Sequence, residues 1–211
     1  MTMEILFARH GNTFAPGDRV TWVGRETDLP LVDKGLAQAA LAAEALKRRG
    51  LLPDIIFAAS LQRTRRFAEI VAEALGLPPP LIDGRLDEVD YGRWAGRSND
   101  EIAALGEAAR LAMEAWNNAD RWPAAAGWSS RESDILAAIG GFVGECLADD
   151  GRFRRPLVVS SNGILRFLPR LLLPPSEHRT SFKMGTGHLG VIDRTGGGCR
   201  LRCWNVAPGD F

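Results

Sequence analysis

The chain has 211 residues, 45% of them hydrophobic, enough to bury a substantial core in one domain. Its 26 basic and 26 acidic residues cancel to a formal charge of zero, which excludes the basic footprint of a nucleic-acid binder and an acidic tail. Only Lys34, Lys47 and Lys183 are lysines, so 23 of the 26 basic residues are arginines, spread along the whole chain in a bias that reads as base composition rather than function.

In chain order, residues 3–8 read as a buried strand. Residues 33–50 read as a helix with Leu36, Ala40, Ala43 and Leu46 on its core face and a glycine stop. The pattern then repeats, with a strand at 54–60 and a helix at 61–76 carrying Phe67, Ile70, Val71 and Leu75. The Pro- and Gly-rich stretch 77–96 reads as a long loop, and 98–118 as a less apolar helix. A further helix follows the capping-box spacing Ser129 to Glu132, with Ile135, Leu136, Ile139, Phe142, Val143 and Cys146 as its core face. Residues 156–161 form a third buried strand, and "LGVIDR" and "CRLRCWNV" read as a closing hairpin.

Strands alternating with helices predict a three-layer α/β/α sandwich with a largely parallel central sheet, as one domain over 1–211 with a helical lid at about 92–130. Cys146, Cys199 and Cys203 are an odd set without a CxxC pair, which argues against a disulfide framework or a zinc site. No stretch approaches the roughly 18 apolar residues of a membrane span, and no leader pattern is visible, so a cytoplasmic location is expected.

In such sheets ligands sit beyond the carboxyl ends of the strands. Arg9 and His10 leave the first strand at that edge, Ser60 to Arg63 the second, and Ser161 and Asn162 the third. Arg9 and Arg63 supply planar guanidinium forks suited to a phosphate, and backbone amides of the Gly11 turn and the helix start near Leu61 add donors. A lone histidine by itself reads as a satisfied core residue. Two arginines at equivalent strand ends reverse that reading and make His10 a candidate nucleophile. "GTGHLG" at 185–190 satisfies GxGxxG in letters only, because a dinucleotide fingerprint opens a helix and this stretch precedes a strand.

"RHGNT" resembles the Arg-His-Gly signature of the histidine phosphatase superfamily, the group that includes phosphoglycerate mutase. In the expected order, "GRETDLPLVDKGLAQA" resembles its Asp-x-Pro-Leu-x-x-x-Gly-x-x-Gln-Ala segment, "SLQRTRRFA" its Ser-x-x-Arg helix start, "LDEVDYGRWAG" its Leu-x-Glu loop, and Glu132-Ser133 its Glu-Ser pair. The resemblance implies a phosphoglycerate mutase-like fold and a phosphohistidine on His10. It makes Arg9 and Arg63 holders of the phosphoryl oxygens and Glu88 the proton donor, later the base for water. Asn12, Thr13, Ser161, Asn162 and His188 join Arg9 and Arg63 as expected substrate contacts. Neither a metal nor another cofactor is implied, since two arginines supply the charge a cation would. The implied partners are a small phosphorylated substrate and inorganic phosphate, with no nucleic acid and no membrane.

The chain departs from the family in one place that bears on rate. Where most members carry a second histidine, "SSNGILR" places Ser161, whose hydroxyl can donate but carries no charge. His188, in the glycine-rich loop expected to return to the site, is the candidate to restore that charge; His178 reads as a surface residue. Pro16 and Arg25-Glu26 stand where the mutases have an asparagine and a Gly-Trp pair, which favours a phosphatase. The alternatives are mutase-type phosphoryl transfer, or a weakly active or inactive phosphate-binding pseudoenzyme.

Overall fold

The computed structural model of the chain describes residues 3–148 and 151–211. At its centre β1 (Met3–Arg9) reads MEILFAR, a nearly continuous apolar run that is stable only where both faces of a strand are covered. β4 (Pro156–Ser160) flanks it in parallel and β5 (Leu189–Thr195) antiparallel. β2 (Ile55–Ala58) and β3 (Leu81–Ile82) extend the parallel part beyond β4, and β6 (Gly198–Val206) pairs with β5 as the expected hairpin. The six-stranded order is β3-β2-β4-β1-β5-β6.

Alternation along the strands sends side chains into two cores. Leu6, Ala8, Ile56, Ala58, Leu157 and Val159 share one with α1 (Asp33–Arg48) and α2 (Gln62–Leu75). Met3, Ile5, Phe7, Phe57 and Val158 share the other with α5 (Glu132–Cys146), α6 (Asn162–Leu165) and α7 (Phe167–Leu172). The architecture is the expected three-layer α/β/α sandwich. α1 leaves β1 for one face, whereas α6 and α7 leave the adjacent β4 for the other. Their divergence opens a crevice at the carboxyl edge, where Arg9 lies in register with Ser160.

Four local expectations are corrected. Residues 98–118 form two helices, α3 (Asn99–Ala103) and α4 (Glu107–Ala119), because Gly106 between them sits at φ +131°, outside the helical region. The capping box belongs to α3, where the Ser98 hydroxyl accepts from Glu101 N and the Glu101 carboxylate from Ser98 N. By contrast α5 starts at Glu132 with Arg131 at its N-cap and no side-chain cap, so Ser129 lies two residues too early for the expected box. On α1 the buried face carries Gly35, Ala39, Ala42, Ala43 and Leu46, leaving Leu36 and Ala40 exposed, since Gly35 must meet the turn after β1. The stretch 77–96 also contains β3 and two 3-10 turns, at Gly84–Leu86 and Gly92–Trp94.

Candidate active site

The turn after β1 is held backbone against backbone. A Cβ on Gly11 would fall 2.4 Å from Gly35 O, and one on Gly35 would fall 2.2 Å from Asn12 O. No side chain fits at either position. Gln38, one turn further along α1, accepts from Asn12 N at 2.8 Å and donates to Thr186 O at 2.9 Å, and Gly187 N reaches the carbonyls of Arg9 and His10 at 3.1 and 3.2 Å. The loop 185–188 therefore clamps the same turn from the other side.

His10 is buried at the crevice, its N–H donating to Ser160 O at 3.2 Å. Its Nδ1 lies 2.8 Å from Gly11 O. A carbonyl can only accept, so Nδ1 carries the ring proton and Nε2 keeps its lone pair. Burial, and then the guanidiniums of Arg9 and Arg63, hold the ring well below the ordinary imidazole range, so it is neutral around pH 7. Burial also pushes Arg9 down to about 10, against the attraction of Glu88.

Each partner has its own anchor. Arg63, in the first turn of α2, donates to Thr27 O at 2.9 Å and to Gly24 O at 3.3 Å. That turn has no cap of its own; the Asp28 carboxylate accepts from Gln62 N at 2.7 Å from outside the helix. The loop bearing Glu88 is tied down by Asp87, which accepts from Ser60 N and Oγ at 2.6 and 2.8 Å, and by Ser160 Oγ, which donates to Leu86 O at 2.7 Å. Glu88 is buried and accepts from Val89 N at 2.9 Å and Gly163 N at 3.3 Å. The neighbouring Tyr91 hydroxyl is raised well above its ordinary range by burial and then by the Glu88 charge, so it stays a neutral donor.

Arg9, His10, Asn12, Thr13, Arg63, Glu88 and Asn162 all line one cleft of about 910 Å³. Ser161 lies beneath its wall, fully buried, with Oγ unpartnered. His188 is not brought there. Its ring turns to Asn205 on β6, with Nδ1 2.8 Å from Oδ1, and the expectation that it faces the phosphate position is corrected. Trp22, Tyr91, Lys183 and Trp116 line the cleft as well. Tyr91 stood in a motif and Trp116 in the expected lid, but nothing local marked Trp22 or Lys183. Trp128 stands against Trp22, Tyr91, Trp94, Trp116 and Trp122 with ring centroids 4.8 to 6.2 Å apart, so the aromatics of residues 92–130 brace the cleft wall. Among the described residues no group of three or more His, Cys, Asp or Glu side chains is disposed to hold a metal, and no helix is long and apolar enough to cross a membrane.

Comparison with known proteins identifies the family. Residues 5–207 match the family model described as the histidine phosphatase superfamily (branch 1). A 2,3-bisphosphoglycerate-dependent phosphoglycerate mutase of Methylobacterium sp. is 35% identical over 49% of this chain and 50% of its own length. A glucosyl-3-phosphoglycerate phosphatase of Mycolicibacterium vanbaalenii is 34% identical over 56% and 49%. These alignments thus span about half the length of the curated relatives. The native structure of a mycobacterial glucosyl-3-phosphoglycerate phosphatase superposes with a TM-score of 0.76 at 28% identity, covering 97% of this chain and 99% of that one.

Proposed function

The chain belongs to the histidine phosphatase superfamily, and on that premise we propose that it is a phosphomonoesterase working through a phosphohistidine on His10. The observation that carries the reading is the state of His10. It is buried and neutral, its Nδ1 is committed to Gly11 O and its Nε2 lone pair is free, in one cleft with Arg9, Arg63 and Glu88.

Nε2 attacks phosphorus in line with the ester oxygen. The N–P bond forms as the P–O bond breaks, Arg9 and Arg63 neutralise the phosphoryl oxygens, and Glu88 passes its proton to the leaving oxygen. Water then attacks the phosphohistidine and gives its proton back to Glu88, releasing inorganic phosphate and neutral His10. Asn12, Thr13 and Asn162 add polar contacts around the phosphoryl position. The segment 92–130 serves as the lid, with Trp22 and Trp116 against the leaving group. Mutase chemistry, the activity named for several relatives, must keep water away from a retained bisphosphate. A cleft of about 910 Å³ has room for the attacking water, which favours hydrolysis. The pseudoenzyme alternative is disfavoured because simple phosphate binding has no use for a buried nucleophile and a buried carboxyl together. Cys146, Cys199 and Cys203 form no disulfide, which suits a reducing compartment such as the cytoplasm.

The test is chemical: incubate the protein with a phosphate ester, quench in alkali, and locate acid-labile phosphate by mass spectrometry. Phosphate on His10 is expected, and His10→Ala should lose several orders of magnitude in rate. Hydrolysis that survives His10→Ala unchanged would overturn the reading.

A further inference from the structure

Lys183 has no place in that machinery, yet it lines the same cleft, and among the described residues no carboxylate pairs with it. Its loop is fastened to the crevice. Met184 N donates to Asn162 Oδ1 at 2.9 Å, and Met184 O accepts from Arg9 Nη1 at 2.7 Å. Lys183 N donates to Ser181 Oγ at 3.1 Å, and Ser181 Oγ donates in turn to the buried Asp120 at 2.6 Å. The Lys183 backbone is thereby fixed beside the two residues that flank the Ser161 wall. Ser161 Oγ, beneath that wall, is a neutral hydroxyl buried without a partner, and Arg9 Nε is also buried without one. Lys183 is itself exposed at the cleft. Partial desolvation, then the guanidiniums of Arg166 and Arg9, push its ammonium below the usual range, against the pull of the buried Asp120. With no carboxylate among the described residues in an ion pair with it, the ammonium is open to an anion in the cleft.

We propose that Lys183 is a phosphate-contacting catalytic residue, its ammonium bonding the transferring phosphoryl group from the Ser161 side of the cleft. The inference rests on the phosphohistidine reading. Once Glu88 has given up its proton it is a carboxylate, and the phosphoryl group carries two further negative charges. The ring keeps its Nδ1 proton and turns cationic as the N–P bond forms, so ring, Arg9 and Arg63 balance those three charges, and Lys183 adds a further positive charge for the phosphoryl oxygens. The ammonium also supplies the charge that a hydroxyl at position 161 lacks.

The experiment is Lys183→Met, which keeps the apolar stem and removes the charge. Titration with inorganic phosphate by calorimetry should show affinity weakened about tenfold, and kcat/KM should fall roughly ten- to a hundredfold on every ester, including an aryl phosphate with no second anionic group. Lys183→Arg should recover part of both. Phosphate affinity unchanged by Lys183→Met, or absent from the wild-type chain, overturns the assignment whatever the esterase assay shows. A loss confined to esters bearing a second acid group also overturns it, since Lys183 would then read the leaving group. Weakened phosphate binding in a chain that hydrolyses no ester overturns the phosphatase reading instead and leaves Lys183 a phosphate ligand.

Discussion

The main-chain N–H of Gly163 donates to Glu88 Oε2 at 3.3 Å, and a Cβ at position 163 would stand 2.2 Å from Oε1 of the same carboxylate. The first turn of α6 is thus the wall against which the Glu88 carboxylate is set, and a methyl group there must displace it. Gly163→Ala should cost about 1–3 kcal/mol in stability through overpacking. It should also copy the kinetic pattern of Glu88→Gln, with slow turnover of alkyl phosphates and a much smaller loss on an activated aryl phosphate whose leaving group hardly needs a proton. Rates on a matched alkyl and aryl pair decide it. Equal losses on both would mean that Glu88 is not the acid.

His10 carries a pH signature in stability. Its folded-state pKa lies well below that of the unfolded imidazole, near 6.5. Between those two values the unfolded chain binds a proton that the native chain does not, so stability falls as pH drops below about 6.5, by at most about 1.4 kcal/mol per pH unit, and gains nothing further above it. His10→Gln removes this term. In phosphate-free buffer, urea melts at successive pH values should show the variant gaining on wild type as pH falls from 7.5 to 5.5. A difference that does not change with pH would show that the ring is not held neutral.

Gly35 positions the turn bearing His10 only through the backbone. Gly35→Ala places a methyl 2.2 Å from Asn12 O, with no flexible side chain to yield, so the turn bearing His10 must move off α1. A shift of even 1 Å at a nucleophile can cost about a hundredfold in rate. Activity should fall at least that far while far-ultraviolet circular dichroism keeps its helical signal. Wild-type kcat in Gly35→Ala would mean that the turn tolerates the shift.

Asp120 caps α4 in the left-handed region at φ +51°, and its carboxylate pairs with the buried Arg166 at 2.5 Å, with Ser181 Oγ at 2.6 Å and with Phe182 N at 2.5 Å. Arg166 lies over the Trp116 ring, 4.6 Å from its centroid, so this one carboxylate joins α4 to the loop carrying Lys183. Asp120→Ala leaves a buried guanidinium without its counter-charge and should cost about 3–5 kcal/mol. Asp120→Asn, which tolerates the left-handed conformation and keeps an acceptor, should cost less. Denaturant midpoints for the two variants test the order. A midpoint near wild type for Asp120→Ala would show that solvent reaches Arg166.

Much of the fold and most of the candidate cleft were legible because the relevant signals are local. An apolar run such as Met3–Arg9 can only be a central strand, and helical spacing in α2 and α5 reports burial directly. The Asp-x-Pro-Leu segment holds its letters for contacts now visible: Asp28 caps α2, Gly35 admits the turn after β1, and Gln38 ties that turn to Thr186. Arg9, His10 and Arg63 were placed by strand ends alone.

What the tertiary structure decided is which way side chains face where no period applies. The core stripe of α1 is set by Gly35 meeting Asn12 O, so Leu36 turns outward despite its spacing, and the capping box falls at Ser98 rather than Ser129 because α5 begins at Glu132, which puts Arg131 and not Ser129 at its N-cap. The loop before β5 shows the same division most sharply. Lys183 and His188 sit in one stretch whose letters single out the histidine. Hydrogen bonds to Arg9 and Asn162 hold Lys183's neighbour Met184 at the cleft, whereas Asn205 of β6 holds the His188 ring away. Those partners are about 17 to 175 residues distant in sequence, and a loop side chain takes its direction from such long-range bonds, which no local pattern encodes.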